Sequence, residues 1–470
     1  MKKILFVEPM GTSSNVFSKY MRIPLLGPVI LGTIAKEAGF DVAIINENII
    51  GRRIQSSELL SVDVLALSCI TATVDRGKEI ANEYKALRRN NGLQARTIIG
   101  GIHASMLPED VAPYFDQVVV GEAENSILDI LSGKAKEKIV YCTRPEDLDS
   151  VPIPDFKLIK SYERIQNIPI MTSRGCPHHC NFCSVTAMFG KKYRSQSPDR
   201  VLREVSRYKK ETIFFIDDNF TANMKRSNDI FDGLISSGLN RPWTAQVRTE
   251  ITRKPEFIEK MKKAGCNTVY VGFESVNPET LKTMKKGQDV EDIRRSIAAF
   301  QKQSILVHGM FVLGSDSDTK DVFKMTQDFC RKTDLDFVQY GVLTPIPGSE
   351  VYAQIEKEGR FLHKNWSLYD GLHTVFSPKN MTANELQMGM INCFSDFYSY
   401  TNGVNDGLNL VYDTIKSGVR SLYTKASFPS LMPFLMKFAG KEIIKRWKID
   451  NLAYLSRLNV YNILAGRKRQ

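Results

Sequence analysis

Short aliphatic and β-branched runs alternate with amphipathic helical stretches from the start of the chain, as expected for parallel strands covered by helices. Residues 3–7, 42–45, 64–68, 97–99 and 118–120 are predicted strands, and residues 29–38, 76–89 and 125–131 are predicted helices. Residues 1–140 are therefore expected to form a doubly wound α/β domain. Its ligand would lie beyond the carboxyl ends of the strands, where residues 8–11, 68–73, 100–105 and 121–124 form glycine- and hydroxyl-rich loops. Residues 141–168, with Pro145, Pro152 and Pro154, interrupt the pattern and read as a linker.

The alternation then resumes. Strands are expected at 170–173, 213–217, 244–248, 268–273, 306–313 and 337–343, with helices at 199–209, 226–236, 255–263, 290–301 and 319–331 between them. Six successive βα units over residues 169–350 predict a partial barrel with its active site at the carboxyl ends of the strands. Beyond Pro347-Gly348 the strand pattern stops. Residues 351–470 read as a helical extension, with a helix at 384–400.

A chain of 470 residues accommodates two or three such domains, and its apolar and charged fractions are those of a globular protein. Glu8 and Pro9 cut short the apolar run at the N-terminus, so no export signal is expected. The stretch 23–35 contains Pro24 and Pro28 and falls short of the roughly 20 residues needed for a membrane span. The expected location is cytoplasmic. The net charge of +12 is concentrated: from residue 415 onward twelve basic residues face only Glu442 and Asp450. Interleaved with those cations are Leu431, Phe434, Phe438, Ile443, Ile444 and Trp447, a pattern suited to peripheral contact with the inner face of a membrane. The alternative is a helix packed on the barrel with a solvated outer face. No nucleic-acid partner is expected, because no recognised binding module accompanies the charge.

Of eight cysteines, Cys69, Cys142, Cys266, Cys330 and Cys393 are scattered and are taken as ordinary thiols. Cys176, Cys180 and Cys183 form Cys-x-x-x-Cys-x-x-Cys on one short loop after the first barrel strand. In a chain with no export signal such a cluster more readily holds a metal than forms disulfides. Three thiolates suit a 4Fe-4S cluster with one iron left open. A zinc site completed by His178 or His179 is the alternative, although structural zinc usually draws on two short Cys-x-x-Cys knuckles.

The segment Ser173-Arg174-Gly175-Cys176-Pro177-His178-His179-Cys180-Asn181-Phe182-Cys183 resembles the cluster loop of the radical S-adenosylmethionine (SAM) superfamily. The likeness continues through residues 215–220, Arg248, residues 272–275, 309–314 and 344–349, in order. It implies that Cys176, Cys180 and Cys183 bind a catalytic 4Fe-4S cluster and that SAM chelates its open iron. An electron from a donor such as flavodoxin or ferredoxin would then generate a deoxyadenosyl radical. It further implies SAM contacts from Phe182, Asp218, Arg248, Glu274 and Gly314.

An N-terminal doubly wound domain before such a core is characteristic of the cobalamin-binding class, which residues 24–27, 63–68, 100–105 and 120–124 also resemble. The fold implied is a Rossmann-like cobalamin-binding domain (1–140), a linker (141–168), a partial (βα)6 radical SAM core (169–350) and a helical, basic extension. Met10, Ser68, Thr71, Gly100, Gly101, His103, Gly121 and Glu122 are the implied cobalamin contacts. The Asp-x-His-x-x-Gly motif that supplies a cobalt ligand in many such domains is absent, for Glu8-Pro9-Met10-Gly11-Thr12 stands in its place. His103 is expected near the cofactor without replacing that ligand. The resemblance implies methylation of an unactivated carbon of a small, hydrophobic or lipid substrate. Ring formation or rearrangement without methylation is the runner-up, and a non-catalytic metal-binding scaffold the reading from another class.

Overall fold

The first sheet consists of β1 (Lys3–Glu8), β2 (Asp41–Asn46), β3 (Val64–Ser68), β4 (Thr97–Gly100), β5 (Gln117–Val120) and β6 (Ile139–Tyr141). All six are parallel, in the order β2-β1-β3-β4-β5-β6. β1 lies between β2 and β3, and Ile4, Leu5, Phe6 and Val7 are all buried, as a strand covered on both faces requires. The helices Leu26–Glu37 and Val74–Asn90 bury Val29, Ile30, Ile80 and Ala81. The chain moves from β1 outward to β2 and returns to β3 on the other side. The order reverses at β1/β3, and the crevice beyond the carboxyl ends of those two strands is where ligands of such sheets bind.

The structure, a computed structural model, describes residues 2–11, 22–209, 211–399 and 428–467, the side chains of 428–439 and 462–467 excepted. It divides into two compact units: residues 1–267, 345–358 and 365–370 in the first, and residues 268–344, 359–364 and 371–470 in the second.

Two expectations for the first unit need correction. The sheet has six strands rather than five, because residues 139–141 pair with β5. The proline-rich stretch read as a linker is packed on the sheet: Phe156 and Ile159 are buried, Lys160 N–H donates to the Ile44 carbonyl, and Asp155 N–H donates to the Thr33 hydroxyl. After it come β7 (Asn167–Ile170), a two-stranded antiparallel ribbon of β8 (Ser173–Arg174) and β9 (Arg194–Ser195), then β10 (Thr212–Phe215) and β11 (Trp243–Val247). β7, β10 and β11 pair in parallel in that order. The first barrel strand thus ends three residues before its expected limit, because residues 173–174 leave the sheet to pair with 194–195.

The second unit contains β12 (Cys266–Glu274), which starts at the boundary, β13 (Leu306–Leu313) and β14 (Phe337–Val342), parallel and in that order. The six expected strands are all present, β7, β10 and β11 in the first unit and β12, β13 and β14 essentially in the second. The helix Ala383–Phe397 opens on a Thr382/Glu385 capping box and packs against the C-terminal helix Phe428–Arg467. Trp447 is fully buried there, its ring 5.4 Å from that of Phe394. No helix among the described residues is long and apolar enough to cross a membrane.

Candidate active site

Cysteines 176, 180 and 183 lie on the loop between β8 and the helix Val185–Phe189; all three are free and half-buried. The loop is clasped at its base. Gly175 and Gly190 both have positive φ, and a Cβ on Gly175 would stand 2.6 Å from the Lys192 carbonyl oxygen, so only glycine lets the ribbon close there. Behind it, the buried Asp217 carboxylate accepts hydrogen bonds from Thr172 N–H (3.1 Å), the Thr172 hydroxyl (2.9 Å) and the Ser173 hydroxyl. Arg226 donates to the carbonyls of Thr172 (3.0 Å) and Gln196 (2.7 Å). The end of β10 and the helix Met224–Ser236 therefore fix the point from which the cysteine loop departs.

Burial raises the Cys176 thiol and pushes Cys183 up to about 11. Protonated thiols in a half-buried loop bind metal by giving up protons, so loading becomes easier as pH rises. The two histidines of the zinc alternative are engaged elsewhere, His179 with Glu350 at 2.7 Å and His178 with Glu250 at 3.4 Å. Among the described residues no group of three or more His, Cys, Asp and Glu is gathered for a metal ion. Cysteines that each bind a different iron of a cluster need not converge on one point, so the donor set fits iron–sulfur better than zinc.

Of the expected SAM contacts, Phe182 is half-buried within the loop. Asp218 is accessible to solvent yet crowded by surrounding chain. That crowding and the adjacent Asp217 raise its carboxyl to about 6. Arg248, at the end of β11, is buried and holds Glu250 through Nε at 2.9 Å. Burial opposes the charge of Glu250, but the hydrogen bond from His178 and the charge of Arg248 outweigh it and hold this carboxyl near 2. The chain His178–Glu250–Arg248 ties the cysteine loop to β11.

Glu274 and Gly314 belong to the second unit. Glu274 sits at a bulge in β12 with φ of 61°, a left-handed conformation that costs a non-glycine residue of order 1 kcal/mol. Its carboxylate is paired with the buried Lys286 at 2.6 Å. Gly314 has φ of 98°, and its N–H donates to Asp318 at 3.0 Å.

In the first domain, Met10, Ser68 and Thr71 lie on the loops after β1 and β3, at the reversal point of the sheet. Met10 N–H donates to the buried Glu47 carboxylate, which also accepts from Ile54 N–H and pairs with Arg76. Gly100 ends β4. Gly101, with φ of 94°, passes so close to Cys69 that a Cβ would meet its carbonyl oxygen at 2.6 Å. Gly121, also at positive φ, donates its N–H to the Ser105 hydroxyl. His103 is fully buried, with Nε2 3.2 Å from Asp110 and its ring edge-on to Trp366. Its side chain is thus held between Asp110 and Trp366. Trp366 comes from residues 365–370, a segment beyond the barrel whose docking on the first domain sequence reasoning did not anticipate.

Glu122 departs most from its expected setting. Both its oxygens are taken by arginines of the ribbon under the cysteine loop: Arg174 at 2.5 Å and Arg194, which engages both oxygens. Arg174 also meets Glu124 at 2.7 Å. All four residues are buried or nearly so. Sequence reasoning missed Asp217, Arg226, Arg194, Glu250 and Lys286. Asp217, Arg226 and Glu250 are charged residues at or beside a predicted strand end or helix start, whereas Arg194 and Lys286 lie in stretches with no such signal.

Free thiols on a clasped loop after the first strand of a parallel βα series, preceded by a doubly wound domain with a crevice, define a two-cofactor iron–sulfur protein. Comparison with known proteins agrees. The Radical SAM superfamily matches residues 170–329, and the B12 binding domain matches residues 17–131. Bacteriochlorophyllide d C-12(1)-methyltransferase of Chlorobaculum tepidum is 29% identical over 84% of this chain and 87% of its own. The solved structure of the cobalamin-dependent SAM radical enzyme OxsB shares the fold, with TM-score 0.69 at 13% identity over 99% of this chain and 81% of its own. So does the radical SAM methyltransferase TsrM of Kitasatospora setae, with TM-score 0.60 at 16% identity over 76% and 78%. The chain belongs to the cobalamin-binding class of the radical SAM superfamily. Its cofactors are those of that class: a 4Fe-4S cluster, SAM and cobalamin.

Proposed function

We propose that the protein transfers a methyl group to an unactivated carbon of a small hydrophobic substrate. The observation that carries this reading is how close the two cofactor regions lie within the first unit. The loop after β5 holds the base of the cysteine loop through Glu122 and Glu124. On another side, a Cβ on Gly348 would meet Met106 of the helix Ile102–Met106 at 2.4 Å and Ala187, just beyond the cysteines, at 3.2 Å. Loops that would hold the corrinoid thus abut the loop that would hold the cluster.

When bound, the cluster and SAM supply a hydrogen-abstracting radical, and cobalamin supplies the methyl group. The chain's own residues bind and orient. Cys176, Cys180 and Cys183 would hold the cluster, Arg248 suits the SAM carboxylate, and Asp218 suits its ammonium or ribose hydroxyls. Phe182 would pack beside the adenine. The loops after β1, β3, β4 and β5 surround the corrinoid, with Met10 where other domains place histidine. The domains assigned are 1–140, 141–168, 169–350 and 351–470. The reading includes a cytoplasmic location, a low-potential donor such as flavodoxin or ferredoxin, and peripheral contact with a membrane. A hydrophobic substrate is supported by the bacteriochlorophyllide named for the Chlorobaculum tepidum relative.

Anaerobic incubation with methyl-deuterated SAM, cobalamin, a low-potential reductant and candidate tetrapyrroles or lipids tests this. A product carrying one labelled methyl group is expected. A product changed in mass without label would instead mean ring formation or rearrangement.

A further inference from the structure

The C-terminal helix is apolar on two opposite sides. Between Gly440 and Tyr461 one stripe faces inward: Ile444, Trp447, Asn451, Tyr454 and Leu458 are all buried. Gln387 of the helix Ala383–Phe397 donates to the Asn451 side chain at 3.1 Å, and the Tyr454 hydroxyl donates to the Thr374 carbonyl at 2.7 Å. Ile444 and Trp447, two of the residues whose spacing suggested membrane contact, are therefore part of the protein's own core. Ile443, of the same pattern, is half-buried, and the apolar residues from Leu431 to Phe438 have side chains outside the described residues, as do several of the basic ones.

Turned half a helical circumference from the buried stripe are Ile449, Leu452 and Val460, which are 62%, 50% and 55% exposed. With 3.6 residues per turn, Ile449, Leu452, Ser456 and Val460 fall on one line along the outer surface. Lys445 lies within this strip together with Glu442, Lys448 flanks one edge, and Arg446 and Arg457 flank the other beside Asp450, so cations outnumber acids by four to two on this face. All four cations are exposed, and none forms an ion pair among the described residues. A docked helix with a merely solvated outer face has no need of three exposed aliphatic side chains in register.

We propose that this outer strip is a docking surface for an anionic lipid bilayer, with Ile449, Leu452 and Val460 entering the headgroup boundary and Lys445, Lys448, Arg446 and Arg457 meeting lipid phosphates. The inference deepens the membrane contact of the reading above by naming the face that makes it. Charge complementarity selects the partner: apolar side chains bordered on both edges by long cations suit an interface that is apolar below and anionic above. Each cation near such a surface is worth about a fivefold gain in partitioning, a gain that salt weakens.

The test is sedimentation of the full chain with vesicles of equal parts phosphatidylglycerol and phosphatidylcholine, against phosphatidylcholine alone, at low and high salt. The wild type should partition to the anionic vesicles, less so at high salt. An Ile449→Ser/Leu452→Ser/Val460→Ser variant should bind about tenfold more weakly or worse, with its melting temperature and its cleavage of SAM in free solution unchanged. Equal binding by this variant overturns the proposal. So does absence of binding to anionic vesicles, or loss of self-association in the variant in place of lost lipid binding. SAM cleavage is read separately, so failure of the surface and failure of the proposed chemistry give different results.

Discussion

Glu8 shows how one buried acid gives the first domain a pH dependence. Burial at the end of β1 raises its carboxyl from 4.5 to about 7, against hydrogen bonds from Leu25 N–H and the Asn46 side chain that favour the charge. The folded chain therefore keeps a proton that the unfolded chain releases above pH 4.5. This contribution to stability is fully present below 4.5 and is lost as pH rises through 7, at most about 3 kcal/mol in all. Glu8→Gln should remove this component, so melting temperatures measured from pH 4.5 to 7.5 should fall less steeply in the variant than in the wild type. His103 makes a second case. Because Nε2 is held at Asp110 and the ring lies against Trp366, His103→Ala should lower the melting temperature while leaving the absorption spectrum of bound cobalamin unchanged. The cysteine triad was legible because its ligands lie within eight residues and carry their chemistry in their spacing. Asp217 and Arg194 were not, because their roles exist only once distant segments meet: Asp217 lies 45 residues from Thr172, and Arg194 lies 72 from Glu122.

Two elements carry most of the tension between sequence pattern and structure. The ribbon β8–β9 is too short for any periodicity to reveal, and it displaces the expected end of the first barrel strand. What holds it is a buried group of two arginines and two glutamates joining it to the loop after β5. Removing Arg194 leaves two buried glutamates to share the single charge of Arg174, so Arg194→Met should cost about 3 kcal/mol in chemical denaturation. A double-mutant cycle with Glu122→Gln should show strong coupling, whereas additive effects would mean that the contact contributes little. The C-terminal helix is the second element. Its cations were plain in the sequence, but which apolar side faces the core was not, because both sides carry apolar residues at helical spacing. Trp447→Ala should cost about 3 to 5 kcal/mol, as loss of a fully buried indole does. Ile449→Ser, on the opposite side, should change stability by less than about 0.5 kcal/mol.

At the scale of the whole molecule, strand and helix order was readable from end to end, since a parallel sheet covered by helices writes nearly continuous apolar runs separated by amphipathic periods. The compact units were less so. The first unit takes in the doubly wound domain together with β7, β10, β11 and two later segments, because the contacts of the cysteine loop and of Trp366 cross what composition marks as boundaries. This arrangement places the cysteine loop and the loops proposed to hold the corrinoid in one body, as transfer of a methyl group to a substrate radical formed beside the cluster would require. The most direct test of that account is the formation of 5′-deoxyadenosine from SAM by anaerobically reconstituted protein under a low-potential reductant, compared with Cys176→Ala, Cys180→Ala and Cys183→Ala. The wild type should be brown, hold about four irons at this site and release 5′-deoxyadenosine, while each variant should release none. An iron-loaded wild type that leaves SAM intact, or variants that cleave it as well as the wild type does, would contradict the account.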